Sequence, residues 1–295
     1  MKENGWGMNK VNLFIVGAAK AGTTSLWAGF KHHPQIYTVL DELNKEPAYF
    51  SKLRRQGSLN AYQLLYKDGG RYLYRCDAST AYLTSKDAVQ NIYAYNPKAK
   101  IIIILRNPVD RAYSLYNWMV SDGYEYALNF EHALNLEDKR FLNGPTSFFM
   151  PEYFWNYMYF RSGLYSRQIA PYIEKFKDNV LVLNFSDLVN YPSILLKTVY
   201  LFLGVEVIDH EIPKENPARS VYSPLLSFGM RKIINQLNKI GVPAETKIKR
   251  DWPIYGVTKK KRPDIMMPDT RNVLNLKYEK ELKYLATRFG IDLVH

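Results

Sequence analysis

Residues Ile101-Ile102-Ile103-Ile104-Leu105 form an unbroken aliphatic run, followed at once by Arg106-Asn107-Pro108. A strand that is apolar at every position has no face to offer to water. It has to be covered on both sides, as strands are in parallel sheets whose crossover helices pack on both faces. One such strand therefore pushes the whole chain toward an α/β architecture. This is also the longest purely aliphatic run in the sequence, far short of the roughly 20 residues that a spanning helix needs.

The neighbouring patterns agree with that frame. Val11–Val16 is a short β-rich apolar run that ends at Gly17, and Leu26, Trp27 and Phe30 then fall on one helical face until Pro34 stops the pattern. Asn107-Pro108 opens a second helix, with proline in its first turn and asparagine available as a cap. Val109, Ala112, Leu115 or Tyr116, and Met119 supply its apolar stripe. Val180-Leu181-Val182-Leu183 reads as a third strand with a turn starting at Ser186-Asp187, and Tyr165–Phe176 and Ile194–Leu203 read as helices before and after it. The pattern predicts an α/β fold: a single domain over 1–295 with a central, mainly parallel sheet flanked by helices. Its core spans 11–210, an irregular basic insertion with seven prolines spans 211–270, and a C-terminal helix lies in 271–295, amphipathic over Arg271–Phe289. There is no internal repeat and no Gly/Ser linker to divide the chain.

Lys2 and Lys10 before Val11–Ala19 imitate a signal peptide, but the apolar stretch is short, contains Asn12 and runs into Lys20. It reads as a buried strand of the mature protein. A single cysteine, Cys76, rules out an internal disulfide framework and a thiol cluster for zinc, so the expected location is the reducing cytoplasm. Forty Lys and Arg against 28 Asp and Glu give a net charge of +12, that of a protein that meets anions. Charge alone does not choose among nucleic acid, anionic lipid and phosphorylated small molecules.

The loop Gly17-Ala18-Ala19-Lys20-Ala21-Gly22-Thr23-Thr24-Ser25 joins the first strand to the first helix. Small residues let the backbone wrap around an anion, and the helix aims its N–H groups and partial positive charge at the same point. Gly17 and Gly22 have the spacing of the triphosphatase loop G-x-x-x-x-G-K-[ST], yet Thr23 stands where that loop has lysine. The lysine has moved inside, to position 20. Magnesium-dependent phosphoryl transfer also wants an acid at the end of a neighbouring strand, and here the Ile101–Leu105 strand delivers Arg106. A cation there suits a second anionic group of the ligand without a metal. The bland alternative is a tight strand–helix turn that binds nothing.

These residues resemble the sulfotransferase family that uses 3′-phosphoadenosine 5′-phosphosulfate (PAPS) as sulfuryl donor. Gly17–Ser25 is similar to its 5′-phosphosulfate loop, with Lys20, Ala21, Gly22, Thr23, Thr24 and Ser25 as the donor-binding residues. Arg106-Asn107-Pro108-Val109-Asp110-Arg111-Ala112-Tyr113-Ser114 is similar to its 3′-phosphate motif, and Lys45-Glu46-Pro47-Ala48-Tyr49-Phe50 to the segment that carries a glutamate base in the glycosaminoglycan branch. Gly163-Leu164-Tyr165 and Leu201-Phe202-Leu203-Gly204 fit later landmarks, so the resemblance covers about residues 11–220. It implies a fold related to P-loop nucleotide kinases, PAPS as co-substrate, 3′,5′-adenosine bisphosphate (PAP) as product and no metal. Two departures stand out. Ala78 occupies the place of a lysine near the acceptor in heparan-type enzymes, and the membrane anchor of Golgi members is not seen, so the chain looks more like a soluble bacterial-type member.

On this resemblance Lys20 would stabilise charge on the bridging oxygen as it builds in the transition state. Arg106 and Ser114, about two helical turns apart, would hold the 3′-phosphate. Arg111 points elsewhere and reads as a surface or core-rim charge. Glu46 would take the acceptor proton as general base. His33 and His32, at the end of the first helix, are rival bases by their ordinary pKa, or caps on that helix. Asp77 is a weaker candidate for orienting the acceptor. Asn216 and Arg219 would reach the nucleotide from a late loop. The clusters Lys247–Arg250 and Lys259–Arg262 read as a solvated face, as a cover over PAPS or as a guide for an anionic acceptor, and Tyr153–Phe160 as aromatic core or a stacking surface.

The expected activity is PAPS-dependent sulfuryl transfer to a hydroxyl or amine of a carbohydrate or small-metabolite acceptor, with no nucleic-acid partner and no membrane span. The alternatives are a magnesium-dependent P-loop kinase or NTPase, a basic nucleic-acid binder, and a family member that binds nucleotide without catalysis.

Overall fold

The structure, a computed structural model, describes residues 10–39, 45–55, 57–148, 150–209, 220–221, 223–239, 259–260 and 265–294. They group into two compact units. The first comprises 1–108, 164–216 and 279–295, and the second 109–163 and 217–278.

The first unit holds a five-stranded parallel sheet: β1 (Leu13–Gly17), β2 (Ile36–Thr38), β3 (Tyr74–Asp77), β4 (Lys100–Leu105) and β5 (Val180–Asn184). Its order is β2-β3-β1-β4-β5. The aliphatic run Ile101–Leu105 lies in β4, and all five residues are fully buried, with β1 and β5 on the two edges of the strand. Phe14 pairs with Ile101 and Ile15 with Ile102, and on the far edge Ile102 pairs with Leu181. The helices of this unit are α1 (Thr23–Phe30), α2 (Leu59–Leu64), α3 (Ala81–Thr84), α4 (Ala88–Tyr95), α7 (Ser166–Phe176), α8 (Phe185–Asn190) and α9 (Pro192–Leu203).

The strand order has a direct consequence for binding. After β1 the chain turns toward β3 and β2; after β4 it leaves toward β5. β1 and β4 are adjacent, and their following connections part in opposite directions. In open parallel sheets such a point opens a crevice at the C-terminal ends of the strands, and ligands bind there. The loop after Gly17 and residue Arg106 both stand at that edge.

The second unit carries α5 (Pro108–Ser121, entered at its first residue), α6 (Phe130–Asn143), α10 (Pro224–Lys239) and the first half of α11 (Pro268–Phe289). Ser220–Val221 and Lys259–Lys260 pair as a short antiparallel ribbon. Its buried polar centre is Glu125, which accepts from both Nη atoms of Arg140 at 2.7 Å and from the Tyr159 hydroxyl at 2.7 Å. A buried carboxylate needs such donors, because leaving it unpaired costs several kcal/mol, on the order of 3–5. Arg111, expected at the surface or the core rim, is 1% exposed and donates to the Tyr159 carbonyl at 2.7 Å.

Two local expectations change. Ser186-Asp187 lies inside the short helix α8, whose first turn is capped by Asn184 accepting from the Ser186 N–H at 3.0 Å. The stretch 211–270 is not irregular throughout, since α10 runs through it behind Ser223, whose hydroxyl accepts from the Leu226 N–H at 3.3 Å. Among the described residues, no helix is long and apolar enough to cross a membrane.

Candidate active site

The loop that follows β1 is wound by two left-handed residues, Lys20 (φ +68°) and Gly22 (φ +86°), and Ala21 between them is fully buried. Gly22 is required twice over. Its φ disfavours any side chain, and a Cβ there would come within 2.4 Å of Leu188 Cδ2 and 3.0 Å of Phe185 Cδ2 on α8. A Cβ on Gly17 would likewise come within 2.7 Å of Leu83 Cβ. The Ala18 N–H donates to the Ile104 carbonyl at 2.7 Å, which stitches the loop to β4. α1 starts directly after Gly22, and its first intrahelical bond runs from the Leu26 N–H to the Gly22 carbonyl at 3.2 Å. Thr23, Thr24 and Ser25 therefore place their N–H groups at the positive end of the helix.

Arg106 meets this loop from the adjacent strand. Its Nη1 donates to the Lys20 carbonyl at 3.2 Å, and the guanidinium lies 4.7 Å from the centre of the Phe185 ring. Tyr165 donates its hydroxyl to the Arg106 carbonyl at 3.0 Å and fixes the strand end. A guanidinium, a lysine and a helix N-terminus thus share one edge of one sheet. That set is suited to an anion with more than one phosphate-like group.

Glu46 sits on the β3 side of the same unit, with its side chain 29% exposed. Oε2 accepts from the Thr80 hydroxyl at 2.9 Å and the Thr80 N–H at 3.3 Å, with Arg54 Nη1 at 3.8 Å; Oε1 faces Lys45 Nζ at 3.2 Å. Burial pushes this carboxyl up, but Lys45, Arg54 and the Thr80 hydroxyl outweigh it and hold Glu46 below the ordinary carboxylate range. It is ionised at neutral pH. Lys45, Arg54 and Thr80 were not singled out from the sequence; of the three, only Lys45, next to Glu46 in the chain, left a local sign. Ala78, where heparan-type enzymes have lysine, is fully buried.

Asp77 ends β3 and is fully buried. Its carboxylate accepts from the hydroxyls of Ser79 (2.6 Å), Tyr82 (2.8 Å) and Tyr62 (2.9 Å). Burial nonetheless dominates and pushes its pKa up to about 6.

His33 does not join this group. α1 carries the chain from the C-terminal edge of the sheet to the opposite edge, where β2 begins at Ile36. There His33 is 2% exposed, Nδ1 accepts from the Gln35 N–H at 3.1 Å, and Nε2 lies 2.8 Å from the Glu206 carbonyl. Both ring nitrogens are committed, Nε2 as the donor, and the ring packs on Tyr200 at 4.6 Å. This corrects its placing among the candidate bases: the ring is a structural bridge between β2 and the end of α9. His32 shares the same far edge and is exposed. Ser114 lies half-buried on α5 in the second unit. Asn216, Arg219 and the cluster Lys247–Arg250 lie outside the described residues, as do Lys261 and Arg262. Among the described residues, no group of three His, Cys, Asp or Glu side chains is placed to hold a metal ion.

Comparison with known proteins gives a consistent answer. A sequence model of the family described as "Sulfotransferase domain" matches residues 10–250. The bifunctional heparan sulfate N-deacetylase/N-sulfotransferase 1 of Mus musculus is 27% identical over 231 residues, covering 76% of this chain and 26% of that protein. The heparan sulfate glucosamine 3-O-sulfotransferase 6 of Homo sapiens is 31% identical over 102 residues, 35% of this chain and 28% of that protein. The chain thus spans about a quarter of the length of these two relatives. Among solved structures, a sulfotransferase from Alicyclobacillus acidocaldarius matches with a TM-score of 0.67 and 27% identity, over 96% of this chain and 97% of its own.

Proposed function

The chain belongs to the PAPS-dependent sulfotransferase family, and on that premise we propose that it sulfates a hydroxyl or amine of a carbohydrate or small-metabolite acceptor, with Glu46 as general base and Lys20 at the leaving phosphate. The observation that carries the reading is the meeting of two adjacent strand ends, where Arg106 reaches the backbone of Lys20 at 3.2 Å. PAPS, when bound, supplies an activated sulfuryl group on a phosphate that leaves as PAP. The chain's own residues suit that donor. The narrow wrap of 17–25, closed over Leu188 at Gly22, leaves backbone N–H groups for one phosphate, and the planar fork of Arg106 suits the other. Ser114 is assigned to the 3′-phosphate, and Arg219 to the nucleotide, by the family resemblance alone.

Lys20 places a cation where the bridging oxygen gains charge, which stabilises the transition state more than the ground state. Glu46 is held ionised by Lys45 and Arg54, so it is ready to accept a proton at neutral pH. Thr80 and Arg54 engage Oε2, whereas Oε1 faces only Lys45 among the bonds described, and Oε1 is the oxygen assigned to the proton. The acceptor class is supported by the two relatives, named for N-sulfation of heparan sulfate and for 3-O-sulfation of its glucosamine.

Titration calorimetry with PAP, without added metal, tests the donor half, and transfer from labelled PAPS to N-desulfated heparin tests the acceptor half. PAP binding that is lost in Arg106→Ala is the expected result. Failure of PAP to bind where ATP with magnesium does bind would remove the donor assignment.

A further inference from the structure

Glu46 is held by a short segment, 45–50, that contributes no strand or helix to the sheet. Two of its backbone N–H groups are held by hydroxyls, while the Tyr49 and Phe50 carbonyls accept from Arg55 Nε and Asn91 Nδ2 at 2.9 Å each. The Ala48 N–H donates to Ser79 Oγ at 2.9 Å, and the Phe50 N–H donates to the Tyr82 hydroxyl at 3.4 Å. Ala48 itself sits at φ +48°, a conformation that alanine holds only when its neighbours fix it. Each of these hydroxyls has a single proton, and both protons go to the same acceptor: Ser79 donates to Asp77 Oδ1 at 2.6 Å and Tyr82 to Asp77 Oδ2 at 2.8 Å.

This arrangement has only one consistent polarity. A carboxylate offers acceptors alone, so both hydroxyls must point their protons at Asp77 and turn their lone pairs to the segment. An acid or amide at residue 77 brings a donor into the cluster. One of the three hydroxyls on Asp77 would then reverse, and where it is Ser79 or Tyr82 its proton would face the Ala48 or Phe50 N–H and leave that N–H without an acceptor.

We propose that Asp77 is the positioning residue of the base: as a carboxylate it sets the direction of the Ser79 and Tyr82 hydroxyls, and through them it fixes the backbone that presents Glu46. Thr80, next to Ser79, completes the hold on the Glu46 carboxylate itself. The titratable groups that face Asp77 are Tyr62 on α2, Tyr66 beyond it, Tyr82 on α3, Tyr95 on α4, Cys76 on its own strand, and Glu46. Burial raises the tyrosines and the cysteine and keeps them neutral, so near neutral pH Glu46 is the one fixed charge among them. The proposal rests on Glu46 being the base only in its catalytic consequence; the hydroxyl relay is independent of it.

The test uses the full chain. Amide shifts and hydrogen exchange of Ala48 and Phe50 are followed by NMR against pH in wild type, Asp77→Asn and Ser79→Ala. Wild type should show at least one of the two amides inflecting near pH 6, the value of the Asp77 carboxyl, and Asp77→Asn should abolish the inflection. Exchange at the amide whose hydroxyl reverses should then quicken about tenfold or more, which matches the loss of roughly one hydrogen bond. Should Asp77→Asn fail to fold, Ser79→Ala leaves the two tyrosine bonds in place and should quicken Ala48 alone. Turnover of PAPS with N-desulfated heparin in Asp77→Asn should lose about 10²-fold in kcat, with the KM for PAPS unchanged. Amides that respond neither to pH nor to Asp77→Asn or Ser79→Ala would overturn the proposal. Amides that respond while Glu46→Gln keeps full turnover would leave the relay standing and remove Glu46 as base.

Discussion

Arg106 donates from Nη1 to the main-chain carbonyl of Lys20 at 3.2 Å, so the cation that ends β4 is tied to the backbone that carries the cation after β1. The bond uses the Lys20 carbonyl and fixes where its Cα sits. It also means that the two residues do not fail alike when replaced.

Arg106→Ala removes the guanidinium proposed to hold the 3′-phosphate and one brace of the loop. PAP affinity should fall at least tenfold, about 1.4 kcal/mol, by calorimetry. Lys20→Met leaves the carbonyl in place, so PAP affinity should change less, while kcat should fall about 10²–10³-fold, the usual effect of losing a group that stabilises charge only in the transition state. Equal losses of affinity in the two variants would contradict this division.

Gly22→Ala should be the most damaging single methyl in the loop. It meets Leu188 Cδ2 at 2.4 Å and adds a side chain at φ +86°. Strained backbone of this kind costs about 1–3 kcal/mol. Denaturant unfolding should show a loss in that range, and PAP binding should weaken with it.

Glu46→Gln should leave PAP affinity unchanged and lower turnover by about 10²-fold or more, the contribution of a general base. In wild type, carboxyl-labelled NMR should find Glu46 titrating below the ordinary carboxylate range. Lys45→Met removes a cation that holds it there, so the same signal should move upward. A signal that stays put would mean that Lys45 does not tune the base.

His33→Ala should lower stability by about 1–3 kcal/mol, since it leaves the Glu206 carbonyl and the Gln35 N–H without their partner. Turnover per folded molecule should not change. A selective loss of kcat at unchanged stability would return the ring to the list of bases.

Asp77 makes stability depend on pH in an unusual direction. Its folded pKa, about 6, lies above the 3.8 of a free carboxyl, so the folded state binds the proton more tightly. Stability from this group is complete below the unfolded value and is lost as pH rises through the folded one. The span is worth roughly 3 kcal/mol. Urea unfolding between pH 4 and about 7 should therefore show wild type gaining stability toward acid relative to Asp77→Asn.

Much of the frame was legible because the signals were local. Ile101–Leu105 is apolar at every step, and the loop from Gly17 to Ser25 carries its small residues in one unbroken stretch. β2 and β3 were not picked out, because Ile36–Thr38 and Tyr74–Asp77 are too short, and the second too polar, to stand out from loop. α10 was missed for another reason: the prolines around it suggested irregularity, whereas Pro224 is the first residue of a helix, a place where proline is tolerated. His33 misled because the inference rested on its ordinary pKa, and residue type says nothing about which edge of the sheet a side chain reaches. The grip on Glu46 was also hidden, since Thr80 and the Asp77 cluster meet it only after β3 has paired beside β1.

The sheet order also sets how separable the two halves of the chemistry are. Adjacent strands lie about 4.8 Å apart, so the ends of β3 and β4, on either side of β1, stand about 10 Å from each other. The loop from Lys20 to Ser25 and Arg106, assigned to the nucleotide, lie on the β1–β4 side, and Glu46, assigned to the acceptor's proton, lies on the β3 side. Lys20 marks the border between them. A sheet edge divided in this way works as two half-sockets with a common wall. On the proposed assignment, substitutions in the segment that contains β2, β3 and their loops should refashion which molecule is sulfated, while the half proposed to grip the nucleotide keeps its shape.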